Sequence, residues 1–208
     1  MIIAVDGPLA SGKGTIARAL ATRFSLPYLD TGSLYRATGI AVLDAGIDPA
    51  DTAACATIAR ALDIGGIDEA RIRTAEAGAM ASRVASIPEV RKALFDLQRA
   101  FATQPGGAIL DGRDIGTVIC PDADVKLYVT ADTETRATRR WHELVARGET
   151  ITLDEMLAQT RERDRRDAER DDAPMRPADD ATLLDTSSLS IDAAVADAVA
   201  IVEKRQKA

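Results

Sequence analysis

The sequence predicts an α/β fold, a parallel sheet of five strands with helices on both faces, extended by a helical insertion. Three observations predict it. Short apolar runs alternate with longer stretches of helical apolar spacing, the order expected of a parallel sheet. The first run, Met1-Ile-Ile-Ala-Val5, leads through a Gly-rich turn straight into a helical stretch. Segments rich in Arg and Asp follow several of the runs, at the strand ends where ligands bind in such sheets.

In chain order, a strand is expected at 2–6 and a helix from the Gly-rich turn to about Phe24. Pro27 stops that helix, and Pro27-Tyr-Leu-Asp30 reads as a short second strand. After Gly32, helical spacing runs from Leu34 to about Ala45 and is closed by Gly46. Residues 50–62 are Ala-rich and helical, Gly65 and Gly66 break the pattern, and helical spacing resumes over 75–102, punctuated by Pro88. Gly106 to Asp111 and Val125 to Val129 read as strands three and four. A charged helical region over 133–171 is interrupted at Gly148, a strand follows at Thr182-Leu-Leu-Asp185, and an amphipathic helix runs from Asp192 to about Lys204. The stretch 40–104 carries almost no strand signal and reads as a helical insertion in a single domain of 1–208.

The chemistry begins in the Gly-rich turn, Gly7-Pro8-Leu9-Ala10-Ser11-Gly12-Lys13-Gly14-Thr15. Glycine lets backbone N–H groups crowd around an anion, and the N-terminus of the following helix adds its dipole. Lys13 brings a full positive charge toward the outer phosphates. Strand, Gly-rich turn, Lys and helix make a phosphate-binding P-loop, and the core one of P-loop NTPase type. Gly14 stands where G-x-x-x-x-G-K-[ST] has its hydroxyl, with Thr15 one place later. A rival reading is the dinucleotide fingerprint, since Gly12-x-Gly14-x-x-Ala17 fits G-x-G-x-x-A and Asp30 lies near the expected acid. Against it, Gly12 comes seven residues after Val5 instead of at the strand end, and a Lys between the glycines has no role there.

Composition narrows the function. A net charge of −7 and 3% aromatic residues argue against a nucleic-acid or membrane surface, which want a basic face or stacking rings. No apolar run reaches the ~18 residues of a membrane helix, and no charged-then-apolar leader opens the chain, so a cytoplasmic protein is expected. Cys55 and Cys120 lack metal-ligand spacing and His142 is the only His, which speaks against a disulfide framework or a zinc site. With no Asn in the chain, the Asn-Lys-x-Asp guanine-reading motif of GTPases is absent.

Three further segments carry charge in a pattern: Leu29-Asp-Thr-Gly-Ser-Leu-Tyr-Arg36, Asp111-Gly-Arg-Asp-Ile-Gly-Thr-Val118 and Glu162-Arg-Asp-Arg-Arg-Asp-Ala-Glu-Arg170. Together with the Gly-Lys-Gly-Thr loop they closely resemble the bacterial cytidylate kinase family of P-loop nucleoside monophosphate kinases, from residue 2 to about 202. The segment Asp185-Thr-Ser-Ser-Leu-Ser-Ile191 is similar to the family's last strand and turn. One departure stands out: the small β-sheet common in the family's insertion has only Gly65 to Arg71 in its place.

The resemblance implies a kinase that transfers the γ-phosphoryl of ATP to CMP or dCMP with Mg²⁺, acting as a monomer on small molecules, with the insertion at 40–104 binding the monophosphate and a lid at 142–165. It implies that Gly7, Pro8, Leu9, Ala10, Ser11, Gly12, Lys13, Gly14, Thr15 and Arg139 bind ATP, with Arg136 and Arg140 beside Arg139 in a lid-like stretch. It gives Thr31, Arg36, Ser82, Arg91, Arg113, Asp114, Arg163, Asp167 and Arg170 to CMP, and makes Lys13, Arg113 and Arg170 catalytic. Arg36, Arg113 and Arg170 would hold the acceptor phosphate, Arg163 and Asp167 the ribose, and Asp114, Ser82 and Arg91 the base. The residue types fit: a phosphate acceptor is already ionised, so transfer needs arginine forks more than a general base. On a helix, Arg163, Asp167 and Arg170 also share one face. The alternatives are a P-loop kinase of another small acceptor, such as UMP or AMP, and a catalytically silent nucleotide-binding module.

Overall fold

In the computed structural model, which describes residues 1–206, the chain divides into two compact units. One comprises residues 1–29 and 101 onward, the other residues 30–100. Residues 207 and 208 of the expected domain lie outside the described residues.

The first unit is built on a five-stranded sheet of order β2-β3-β1-β4-β5, with β1 (Ile2–Asp6), β2 (Tyr28–Asp30), β3 (Ala108–Gly112), β4 (Val125–Thr130) and β5 (Thr182–Asp185). The pairs β1–β3, β1–β4 and β4–β5 are parallel, with Val5 opposite Asp111 and Leu127. Central strands buried on both faces read as unbroken apolar runs, and Ile3, Val5, Ile109, Leu127 and Val129 are fully or almost fully buried. On them pack Ile16, Ala17 and Leu20 of α1 (Lys13–Phe24) and Ala194, Ala198 and Val202 of α8 (Ile191–Gln206). The α/β fold predicted from alternating strand and helix signals is the fold observed.

Two helices complete this unit, α6 (Thr133–Val145) and α7 (Leu153–Glu169). A capping box starts α7: Thr152 accepts from the Glu155 amide while Glu155 accepts from the Thr152 amide. Between β3 and β4, Ile115–Ile119 forms a single π-helical turn, which the sequence did not announce. Its i→i+5 bonds run from Ile119 N to the Asp114 carbonyl and from Cys120 N to the Ile115 carbonyl. Such turns occur mostly as short interruptions, often at functional sites.

The second unit is helical. It holds α2 (Thr31–Asp44), α3 (Thr52–Arg60), α4 (Ala75–Val84) and most of α5 (Pro88–Ala102), the last two divided just before Pro88. Two short 3₁₀ turns, Ile64–Gly66 and Arg71–Arg73, stand where the family's small sheet would be. Among the described residues of 31–107 there is no strand. Helix α2 begins at Thr31, three residues before the expected Leu34, because Asp30 caps it by accepting from the Ser33 amide.

Candidate functional site

The C-terminal ends of β1 and β3 deliver the site of the first unit. Gly7 leaves β1 with its amide donating to the Gly112 carbonyl at 3.3 Å. A side chain on Gly7 would collide with the Val129 carbonyl, so the loop can only leave the sheet here as glycine. Gly12 takes φ +91°, the left-handed conformation that favours glycine, and turns the chain into α1. The predicted loop residues Gly7, Pro8, Leu9, Ala10, Ser11, Gly12, Lys13, Gly14 and Thr15 therefore connect β1 to the first turn of α1, the geometry that presents backbone N–H groups and a helix dipole to an anion. Ser11 is fully buried and its hydroxyl has no hydrogen-bond partner among the described residues. The Lys13 ammonium lies 3.3 Å from the Pro8 carbonyl, within the loop it serves.

Two arginines of α6 meet this loop by different means. Arg136 is buried and gripped on all sides. It donates to both Asp164 carboxylate oxygens at 3.0 and 2.7 Å, to the Ala131 carbonyl at 2.8 Å and to the Leu9 carbonyl at 3.4 Å. Arg139 donates to Thr186, at 3.0 Å to the hydroxyl and 2.7 Å to the carbonyl. The Thr186 hydroxyl in turn lies 2.8 Å from the Ser11 carbonyl and 3.1 Å from that of Thr130. Arg140 pairs with Glu143 on its own helix. Beside Arg139 opens a cavity of about 200 Å³, floored by Gly12 and Ile16 and walled by Leu189, Ile191 and Ala194. Apolar side chains with a few polar ones, Thr15, Thr186, Ser190 and Arg139, line it, the composition of a small-molecule site. Thr186, Leu189, Ser190, Ile191 and Ala194 line this cavity and were not singled out from the sequence as site residues. Their signal was the segment Asp185-Thr-Ser-Ser-Leu-Ser-Ile191, which combines a turn with exposed apolar side chains such as Ile191.

The arginine–carboxylate residues of this unit converge. Arg113 donates to Asp167 at 2.9 Å, Arg163 stands 3.8 Å from the same carboxylate oxygen, and Arg170 approaches Asp114 at 3.6 Å. Arg170 also donates to the Ala173 carbonyl at 2.6 Å. Asp114, Asp167 and Arg170 have nearly buried side chains. Burial pushes the Asp167 carboxyl upward, but Arg113, Arg163 and Arg170 outweigh it and hold the group below the usual range. At the end of β3, Asp111 accepts from the Tyr28 hydroxyl at 2.7 Å, and Arg18 stacks over the Tyr28 ring.

The remaining predicted residues belong to the second unit. Thr31 and Arg36 lie on α2, Ser82 on α4 and Arg91 on α5. Thr31, Ser82 and Arg91 are buried, and Arg36 donates to the Ile72 carbonyl at 3.4 Å.

A Gly-rich loop closing β1 onto a helix, a lysine at its end and an arginine–carboxylate cluster between the end of β3 and α7 define a P-loop phosphotransferase. A comparison with family models matches the cytidylate kinase model over residues 3–204. The chain is 58% identical to a cytidylate kinase of Methylocella silvestris over 98% of its length and 94% of that protein. It is 57% identical to a cytidylate kinase of Cereibacter sphaeroides, over 98% of its length and 96% of that protein. Among solved structures, a gluconokinase from Sinorhizobium meliloti 1021 matches 99% of this chain and 93% of its own, with a TM-score of 0.53 at 14% identity, a likeness of fold. The chain belongs to the cytidylate kinase family.

Proposed function

We propose that the protein transfers the γ-phosphoryl group of ATP to CMP and dCMP, giving ADP and the nucleoside diphosphate. The observation that carries this reading is the cluster of Arg113, Asp114, Arg163, Asp167 and Arg170, set in the unit that carries the P-loop of a cytidylate kinase family member. Phosphoryl transfer to an ionised phosphate needs alignment and charge neutralisation more than proton abstraction. The P-loop amides and Lys13 hold the β- and γ-phosphates of ATP, and the slot beside Arg139 takes the adenine. Arg36, Arg113 and Arg170 bind the acceptor phosphate, Arg163 and Asp167 the ribose hydroxyls, and Thr31 is a further contact. Asp114 accepts from the cytosine amino group, while Ser82 and Arg91 donate to the base's acceptors. The insertion at 40–104 serves acceptor binding and the segment 142–165 serves as lid.

The donor set suits a Mg²⁺ ion brought by the nucleotide. Gly14 offers no hydroxyl at the usual ligating place, and no group of three or more His, Cys, Asp or Glu among the described residues could hold a metal. Such an ion would be held mainly by phosphate oxygens and water, where it neutralises charge on the transferring group. No described helix is long and apolar enough to cross a membrane. A net charge of −7 argues against nucleic-acid and membrane partners, and membership of the cytidylate kinase family supports reading the protein as a cytoplasmic monomer acting on small molecules.

The test is ADP release with ATP and Mg²⁺ against a panel of CMP, dCMP, UMP, AMP, GMP and dTMP. CMP and dCMP should give the highest kcat/KM. A preference for AMP or UMP would assign the site to another acceptor.

A further inference from the structure

One buried carboxylate close to the site belongs to none of the binding groups above. Asp6 is the last residue of β1, 4% exposed, and its two oxygens accept from two successive amides, Ile115 N at 2.8 Å and Gly116 N at 2.7 Å. Ile115 and Gly116 are themselves buried and open the π-helical turn. Asp6 is therefore bonded through the chain to Gly7, where the P-loop starts. Through hydrogen bonds it also holds the turn that begins directly after Arg113 and Asp114. The space is tight: a Cβ on Gly116 would stand 3.1 Å from the Lys126 stem and 3.4 Å from the Asp6 carboxylate.

We propose that Asp6 is a positioning residue for phosphoryl transfer, its carboxylate locking the Arg113–Asp114 segment to the start of the P-loop through the Ile115 and Gly116 amides. The assignment rests on the reading of Arg113 and Asp114 as acceptor-binding groups. A charged carboxylate makes shorter and stronger bonds to amides than a neutral carboxyl, so the lock is tightest when Asp6 is ionised. Its surroundings place that ionisation in the working range. Burial raises the group strongly, the Gly116 and Ile115 amides lower it, Asp114 just before the turn raises it and Lys13 from α1 lowers it, leaving it pushed up to about 7. From β4, Tyr128 faces Asp6 with its own hydroxyl pushed upward by burial first and then by Asp6. Lys126 turns its ammonium away, to the Pro121 carbonyl and to Asp180. On β3, Asp111 is engaged by Tyr28, and Arg113 by Asp167. A buried carboxylate poised near neutrality, beside groups that handle substrate, is the pattern of a functional position.

Asp6→Asn keeps the size but offers one of the two amides a donor instead of an acceptor. Its kcat/KM for CMP should fall about tenfold or more, while KM for ATP moves less than about twofold. The ratio of wild-type to variant kcat/KM for CMP should rise with pH through about 7. The acceptor phosphate's own ionisation, near pH ~6, cancels in that ratio. In the substrate-free wild-type protein, hydrogen-exchange protection of the Ile115 and Gly116 amides should weaken below about pH 7 relative to Ile109 in β3. The exchange measurement needs neither the variant to fold nor CMP to be the acceptor. Unchanged relative protection across that range, a ratio independent of pH, or equal damage to ATP and CMP parameters would overturn the proposal.

Discussion

Lys13 stands at the first position of α1 with its ammonium beside the Pro8 carbonyl, so no repacking of the core follows from its removal. Lys13→Met should lower kcat by roughly 10²–10³, the scale lost when a charge-stabilising donor is deleted from a transition state. The thermal melt of the variant should stay close to that of the wild type, and near-normal turnover would remove Lys13 from the reaction. Asp114 offers a sharper test of base recognition. A carboxylate accepts from the amino group of cytosine but opposes the O4 oxygen of uracil, and an unpaired buried polar group is costly. Asp114→Asn should narrow the CMP:UMP ratio of kcat/KM mainly by damaging CMP, whereas equal damage to both would leave Asp114 an organiser of its loop. At this scale the P-loop was legible from its residue pattern, whereas the arginine segments were legible through their resemblance to the cytidylate kinase family, since such charge runs on their own are commonly solvated helix faces. Asp6 and Thr186 were not, because a single carboxylate or hydroxyl acquires its role from the carbonyls and amides that the fold brings to it.

Helices α6 and α7 are joined by a bidentate pair, Arg136 with Asp164, in which Arg136 is buried and Asp164 a quarter exposed. Removing one partner strands the other charge, so Asp164→Ala should destabilise the protein by about 2 kcal/mol, below the cost for a fully buried pair. Urea or thermal unfolding reads this directly, and an unchanged midpoint would mean that solvent replaces the carboxylate. Most elements were visible in the sequence, including β5 with the same ends, because apolar runs bounded by Pro, Gly and Asp have few other readings. The early start of α2 needed the Asp30-x-x-Ser33 cap to be weighed above the Gly32 break. The π-helical turn over Ile115–Ile119 has no sequence signature, since its extra residue is accommodated by tertiary bonds to Asp6.

For the whole molecule, two buried carboxylates pull stability in opposite directions as pH changes. Asp167 is held below the usual carboxylate range, so its contribution is present above the ordinary Asp value of 3.8 and is lost as pH falls through its folded value. Asp6 has the reverse sign. Raised from 3.8 to about 7, it binds a proton in the folded state that the unfolded chain has released, so between those values stability declines as pH rises. Asp6→Asn should therefore gain stability relative to the wild type as pH is raised from about 5 to about 8, read as a growing difference in Tm. A difference that stays constant over that range would mean Asp6 does not titrate there. At this scale one chain transfers the γ-phosphoryl group of a triphosphate donor to a cytosine-bearing monophosphate. Incubation with γ-labelled ATP, Mg²⁺ and CMP, followed by separation of the nucleotides, tests this most directly. The label should appear in CDP, at a rate that collapses in Lys13→Met. Label passing to another monophosphate but not to CMP, or remaining in ATP when every acceptor is supplied, would contradict it.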